Sequence, residues 1–238
     1  MKLGAYIQLY KNDGKGELMI KNFRKFYPNP INSPIYLVSD NGDDFTELAE
    51  KYGCKYEHSL INTGVKNNGF TKEEMLVWLD RFQRCFAYCR TEYIIYLEDD
   101  VLVRKEINID KNKKICGVKA GNLIPNQVFD FLRNKYGKNI VNTEGGACGG
   151  TIYDMLTFLK IYPQIIDLIN ESFDELYNIY INIGCLDQFI PIAYAFAGIQ
   201  YDKNDEIIET GRDPRWRDTS HAIVHINGNA ENIFAEIK

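Results

Sequence analysis

Residues Tyr93 to Val103 read Tyr-Ile-Ile-Tyr-Leu-Glu-Asp-Asp-Val-Leu-Val, an apolar run that breaks on three adjacent carboxylates, Glu98, Asp99 and Asp100, and then turns apolar again. A strand this apolar belongs inside a protein, and interior anions must be solvated, paired or coordinated to escape a large desolvation cost. The run therefore calls for a strand that ends where something cationic is held, and a divalent metal ion is the simplest candidate. A solvated acidic turn is the bland alternative, made awkward by apolar sequence on both sides.

The 238 residues are 45% hydrophobic and 26% charged. That length suits one large core better than two, so a single domain over 1–238 is expected. A net charge of -5 and a sequence pI near 5.4 argue against nucleic acid as the partner, because phosphate backbones need a basic face. A bound metal could still draw in a phosphorylated small molecule. The first ten residues are too short and polar for a signal peptide, and no apolar run approaches a membrane span, so a cytoplasmic protein, soluble or peripheral to a membrane, is expected. Six cysteines without paired zinc spacing read as reduced, packed thiols. Cys85 and Cys89, four apart on a helix, read as core residues.

Ala5 to Tyr10 and Ile35 to Ser39 read as strands, the second entered and left through turn-rich sequence. Between and after them, Glu17 to Phe26 reads as a helix with Leu18, Phe23 and Phe26 inward, and Asp43 to Tyr52 as another closed by Gly53. Thr71 and Glu74 form a capping box, and the helix that follows should bury Met75, Leu79, Phe82 and Phe86. Alternation of this kind builds parallel strands whose ends line one sheet edge, where ligands of open α/β sheets bind. Further on, Cys116 to Gly121 reads as a strand, and Gln127 to Tyr136, Asp154 to Tyr162, Asp167 to Tyr180 and Asp187 to Ala197 as helices. Ala222 to Ile226 reads as a strand.

Asn67-Asn68-Gly69, the capped helix from Thr71 and then apolar-Glu98-Asp99-Asp100-apolar form an ordered set that resembles the nucleotide-sugar-binding half of the A-type glycosyltransferases, whose acidic motif is usually Asp-x-Asp. With features from Ala5 to His225, the resemblance spans nearly the whole chain. It implies an α/β, Rossmann-like GT-A fold, a central mixed, mostly parallel sheet flanked by helices, with a nucleotide-binding half over about 1–105 and an acceptor half over about 106–238. It also implies Mn²⁺ or Mg²⁺ and a nucleoside-diphosphate sugar, UDP-linked, as donor to a hydroxyl on a glycan, protein or lipid. Hard oxygen ligands would hold such an ion against the charge that develops on a leaving diphosphate.

By this resemblance Asp100 coordinates the metal, while Asp99 and Glu98 contact the ribose, the sugar or metal-bound water. The apolar-His-x-x-Gly pattern of Val224 to Gly228 is similar to a metal-binding histidine near the end of many members, which selects His225 over His221 and His58, a structural strand histidine being the alternative. Tyr10 and Asp40 follow early strands where the family keeps an aromatic ring to stack on the base and a carboxylate to accept from base or ribose; a core tyrosine and a turn aspartate are the alternatives. Arg81 matches an arginine that touches the acidic motif or the sugar, its alternative being a surface partner of Asp80 or Glu74.

Gly145-Gly146-Ala147-Cys148-Gly149-Gly150 resembles the small-residue stretch whose backbone lines the sugar pocket, with a tight structural turn as the alternative, and it lacks the Gly-Lys-Ser/Thr of a phosphate-binding P-loop. Asp187 opens an apolar helix. It is an N-cap, or the general base that inverting members keep there, or the Asp-Gln of the glycogenin-like branch that touches the donor sugar. The loop Arg212 to Asp218, with three arginines and Trp216, could close over a diphosphate or be a solvated loop. Two other classes compete: a sugar nucleotidyltransferase, whose Gly-rich basic loop Tyr10 to Gly16 does not reproduce, and a carbohydrate-binding or inactive relative.

Overall fold

The computed structural model describes residues 2–11, 14–61, 69–118, 123–209 and 220–226. Its first strands are buried along almost their whole length, the pattern of strands covered on both faces. They are β1 (Leu3–Leu9), β2 (Ile35–Asp40) and β4 (Tyr93–Leu97), with the more polar β3 (Lys55–Ser59) at the edge. α1 (Lys15–Phe26), α2 (Thr46–Tyr52) and α3 (Lys72–Cys89) connect them. The second half supplies β5 (Val101–Val103), β6 (Ile115–Gly117), α4 (Asn126–Tyr136), β7 (Ile152–Asp154), α5 (Met155–Ile179), a 3₁₀ turn (Ile181–Gly184), α6 (Leu186–Phe196), β8 (Asp202–Lys203), β9 (Ile207–Glu209) and β10 (Ile223–His225).

The main sheet runs β3-β2-β1-β4-β7-β6-β8. β1 pairs parallel with β2 and β4, β2 with β3, and β6 with β8; β7 is antiparallel to both its neighbours. Mixed, mostly parallel and helix-flanked, it is the architecture expected from the sequence. Alternating strand residues feed two cores. Tyr6, Ile94 and Tyr96 pack with α3, α5 and α6, while Ala5, Ile7, Ile95 and Leu97 pack with α1 and β5.

Several local expectations are corrected. α1 turns Met19, Ile20 and Phe23 inward and leaves Leu18 and Phe26 half-buried, because Gly16, Met19, Ile20 and Phe23 form one face at helical spacing. α2 starts at Thr46 because the preceding residues form a turn: Asp43 N–H donates to the Tyr10 carbonyl at 2.9 Å and Thr46 N–H to Asp44 Oδ1 at 2.9 Å. The two helices expected around residues 154–180 are one, running through Pro163. Pro163 is exposed, so the carbonyl it leaves without a helical donor can be satisfied by water. The six cysteines form no disulfide, and Cys85 and Cys89 are core residues with sulfurs 3.8 Å apart.

The strand from Tyr93 ends at the carboxylates, as expected: β4 stops at Leu97, Glu98 to Asp100 turn the chain, and β5 enters a second sheet ordered β5-β10-β9. The turn is closed by Val101 N–H donating to the Glu98 carbonyl at 3.1 Å. Three crowded carboxylates are thereby moved out of the strand interior to its end, and β5 is returned to the core beside β10.

Candidate functional site

The sheet switch brings the acidic turn to the last described strand. β10 pairs antiparallel with β5 so that His225 lies opposite Val101, and Ile226 N–H donates to the Asp100 carbonyl at 3.1 Å. His225 Nε2 then stands 3.3 Å from Asp100 Oδ1 and 3.6 Å from Glu98 Oε2. One ligand atom from each of Glu98, Asp100 and His225 falls within 4.8 Å of the others. Glu98, assigned from the sequence to donor or metal-bound water, thus stands inside the same cluster as the two expected ligands.

Glu98 is held from two sides: Tyr96 O–H donates to Oε1 at 2.8 Å and Gly149 N–H to Oε2 at 3.1 Å. A Cβ on residue 149 would come within 2.8 Å of Glu98 Oε2 and 2.5 Å of Val101 Cγ2, so the approach requires glycine. Burial pushes the Glu98 carboxyl up to about 7, with Asp100 and Asp187 adding to the rise and His225 opposing it. Burial works to lower His225, yet Asp100 and Cys148 raise it well above its ordinary value. The cluster carries more negative charge than one imidazole neutralises, and it takes up protons to compensate. The same surplus suits a divalent cation, and two carboxylates with one imidazole fit Mn²⁺, with Mg²⁺ served by the carboxylates.

Asp40, at the end of β2, is in a different state. Arg81 from α3 donates to its Oδ1 at 2.9 Å, Gln8 Nε2 to its Oδ2 at 3.3 Å, and Tyr6 O–H to Gln8 Oε1 at 3.2 Å. Arg81 is therefore no surface partner of Asp80, which instead pairs with Arg84. Tyr10 follows β1 with 49% of its surface exposed. Asn67 and Asn68 lie outside the described residues, as do the loop Arg212 to Asp218 and Asn227-Gly228. Gly69, beside the first of these, has φ +72° and is pressed against Gly184, whose carbonyl accepts from Phe70 N–H at 2.6 Å.

Gly145 and Gly146 meet α6. A Cβ on Gly145 would lie 2.2 Å from Gln188 Oε1, and Gly146 N–H donates to the Asp187 main-chain carbonyl at 2.7 Å. The Gly146 N–H is therefore already used inside the protein. Asp187 is the second residue of α6, after the N-cap Cys185, and its side chain is half-buried and electrostatically coupled to Glu98 and Tyr96. Asp99 is half-buried beside them. Sequence reasoning missed Tyr96 and Gly149 as supports of Glu98. Tyr96 carried a signal, since strand residues two apart share a face; Gly149 carried none, its role depending on a contact between distant segments.

No protein-family model matches the chain. Among solved structures, mouse xyloside xylosyltransferase 1 in its apo form is similar at 12% identity over 96% of this chain and 99% of that one, with a TM-score of 0.52. The galactosyltransferase LgtC in complex with donor and acceptor sugar analogs is similar at 14% identity over 97% of this chain and 94% of that one, with a TM-score of 0.50. Against S. aureus TarS 1–349 in complex with UDP-GlcNAc the identity is 15% over 67% of this chain, the TM-score is 0.42, and the chain spans 47%, about half, of that protein's length. The fold is the Rossmann-like GT-A fold, as the sequence resemblance implied. No helix among the described residues is long and apolar enough to cross a membrane.

Proposed function

We propose that this protein is a metal-dependent glycosyltransferase, acting as one domain, that moves a sugar from a nucleoside-diphosphate sugar, UDP-linked, to a hydroxyl on a glycan, protein or lipid. The observation that carries the reading is the Glu98, Asp100 and His225 cluster at the end of β4, within 4.8 Å of mutual ligand distance. It stands at the sheet edge where open α/β folds bind ligands. A protein of the same fold, LgtC, has been crystallised with donor and acceptor sugar analogs.

In this reading Asp100 and His225 hold Mn²⁺ or Mg²⁺ with Glu98 beside them, and the ion supplies Lewis-acid stabilisation of the diphosphate charge. Tyr96 and Gly149 keep the Glu98 carboxylate aimed into the cluster. Tyr10 offers an exposed ring for the base, and Asp40, already oriented by Arg81 and Gln8, accepts from base or ribose. Asp99 contacts the donor, and the Gly145-Gly146 backbone shapes the sugar pocket. Asp187 is the general base that takes the proton from the acceptor hydroxyl, worth typically 10²- to 10⁴-fold in rate.

Titrating UDP with and without Mn²⁺ tests this. Binding should depend on the metal, Asp100→Ala should abolish that dependence, and Asp187→Ala should keep binding while losing about 10²-fold or more in transfer. Metal-independent UDP binding would overturn the ligand assignment, and full turnover by Asp187→Ala would remove its role. A carbohydrate-binding protein would respond to neither UDP nor metal.

A further inference from the structure

We propose that Tyr201 is a positioning residue for this site: its phenol clamps the Gly146 peptide and thereby holds the Asp187 end of α6 in register with the Glu98 cluster. The catalytic part of this inference rests on the reading of Asp187 given above.

The geometry begins with a proline. In a helix the carbonyl of residue i accepts from the N–H of residue i+4, and the partner due to Asp187 is Pro191, which has no N–H. The Asp187 carbonyl is thereby left for another donor, and the glycine-rich passage supplies two: Gly146 N–H at 2.7 Å and Ala147 N–H at 3.2 Å. Three residues after Gly146, the same passage donates from Gly149 N–H to Glu98 Oε2 at 3.1 Å. One short strap therefore touches both the main chain of the proposed base and a carboxylate of the metal cluster.

The strap is held in an unusual shape. Gly146 has φ +136°, a backbone conformation that residues with a Cβ rarely adopt. Its carbonyl is met by Tyr201 Oη at 2.5 Å, and the same hydroxyl lies 2.8 Å from the Val118 carbonyl just past β6. The phenol is buried, and room for it is made by Gly117, where a Cβ would come within 2.5 Å of Tyr201 Oη and 2.6 Å of Thr151 Oγ1. Tyr201 Oη has a single proton, shared between the two carbonyls as a three-centre hydrogen bond, and in this way ties the strap to β6. Without the hydroxyl the Gly146 peptide loses the group that fixes its plane, and its N–H loses its aim at Asp187.

Tyr201→Phe in the full chain tests the clamp. Amide exchange at Gly146 and Ala147 should accelerate, and kcat should fall roughly 10- to 100-fold, the penalty of a displaced catalytic group, while Mn²⁺-dependent UDP affinity stays unchanged. Tyr194→Phe is the control: it deletes another buried hydroxyl, one that has no hydrogen-bond partner among the described residues, and should change neither quantity. In an Asp187→Asn background the loss from Tyr201→Phe should vanish, because groups acting as a unit are not additive. Pro191→Ala should also speed exchange at Gly146, by giving Asp187 its helical partner back. Unchanged Gly146 exchange in Tyr201→Phe overturns the clamp. An undiminished loss in the Asp187→Asn background, or an equal loss in Tyr194→Phe, overturns its action through Asp187. If the wild type turned over no nucleotide sugar, the glycosyltransferase reading would fall instead, and amide exchange alone would still decide whether the clamp exists.

Discussion

Two acidic sites stand at strand ends on either side of β1, and they are compensated in opposite ways. At the end of β2, Asp40 has a guanidinium at 2.9 Å and an amide at 3.3 Å, and the Arg81 and Asp40 side chains are 1% and 3% exposed. At the end of β4, Glu98 and Asp100 face an imidazole at 3.6 and 3.3 Å, and Glu98 is pushed up to about 7. The first is an ion pair completed by the chain itself. The second holds more negative charge than its imidazole neutralises and is completed by protons or by a metal. Any contact Asp40 makes to a donor therefore comes from a carboxylate already neutralised and oriented, whereas the Glu98 cluster gains most from a cation supplied from outside.

The hardest blow to this contrast falls on Arg81. Removing one partner of a buried pair strands the other charge, so Arg81→Ala should cost about 3–5 kcal/mol of unfolding free energy, measured in urea. Part of that should return in the Arg81→Ala, Asp40→Ala double variant, since the stranded anion is gone. A cost well under 1 kcal/mol would mean that Asp40 does not depend on Arg81, and the two sites would no longer differ in kind.

The two sites also differ in how far the sequence discloses them. The acidic turn and His225 were legible because each breaks a local apolar pattern, and a charge inside such a run demands compensation wherever the fold puts it. The pairing of Asp40 with Arg81 was not, because it joins a strand end to a helix 41 residues away and nothing local marks it. The same limit applies to the fold. β1, β2, β4 and the capped α3 announce themselves through apolar runs and the Thr71-Glu74 box, both bonds of which form, at 3.2 and 3.0 Å. β3 reads Lys-Tyr-Glu-His-Ser and is an edge strand whose polar residues hide it. β5 is as apolar as β4, and only the partner β10 reveals that the chain changes sheets there. Pro163 should end a helix locally, and does not because it faces solvent.

A smaller effect sharpens the contrast from the metal side. Asp100→Asn removes one anion from a crowded cluster, so the metal-free protein should lose little stability or gain some. Binding to the folded state alone stabilises by about 2.7 kcal/mol at a ligand concentration of 100 Kd, and this Mn²⁺-induced shift should disappear in the variant. Thermal unfolding with and without MnCl₂ measures both quantities. An Asp100→Asn protein that kept the full Mn²⁺ shift would move the cation away from this cluster.

The mildest perturbation is a change of pH, and the sign of its effect follows from Glu98. Its folded value, about 7, lies above the ordinary 4.5, so the metal-free fold binds this proton more tightly than the unfolded chain does. The corresponding stability is present at low pH and is lost as pH rises through about 7. Metal binding runs the other way, because the carboxylate must give up its proton first. Mn²⁺ affinity should therefore fall by about tenfold, or 1.4 kcal/mol, for each pH unit below about 7 on account of Glu98 alone. His225, itself raised, must also become neutral to bind, and it adds to the fall in the same direction. Isothermal titration of Mn²⁺ from pH 5.5 to 7.5 measures the slope. A flat profile would mean that Glu98 is already neutralised by the protein, as Asp40 is, and would erase the contrast between the two sites.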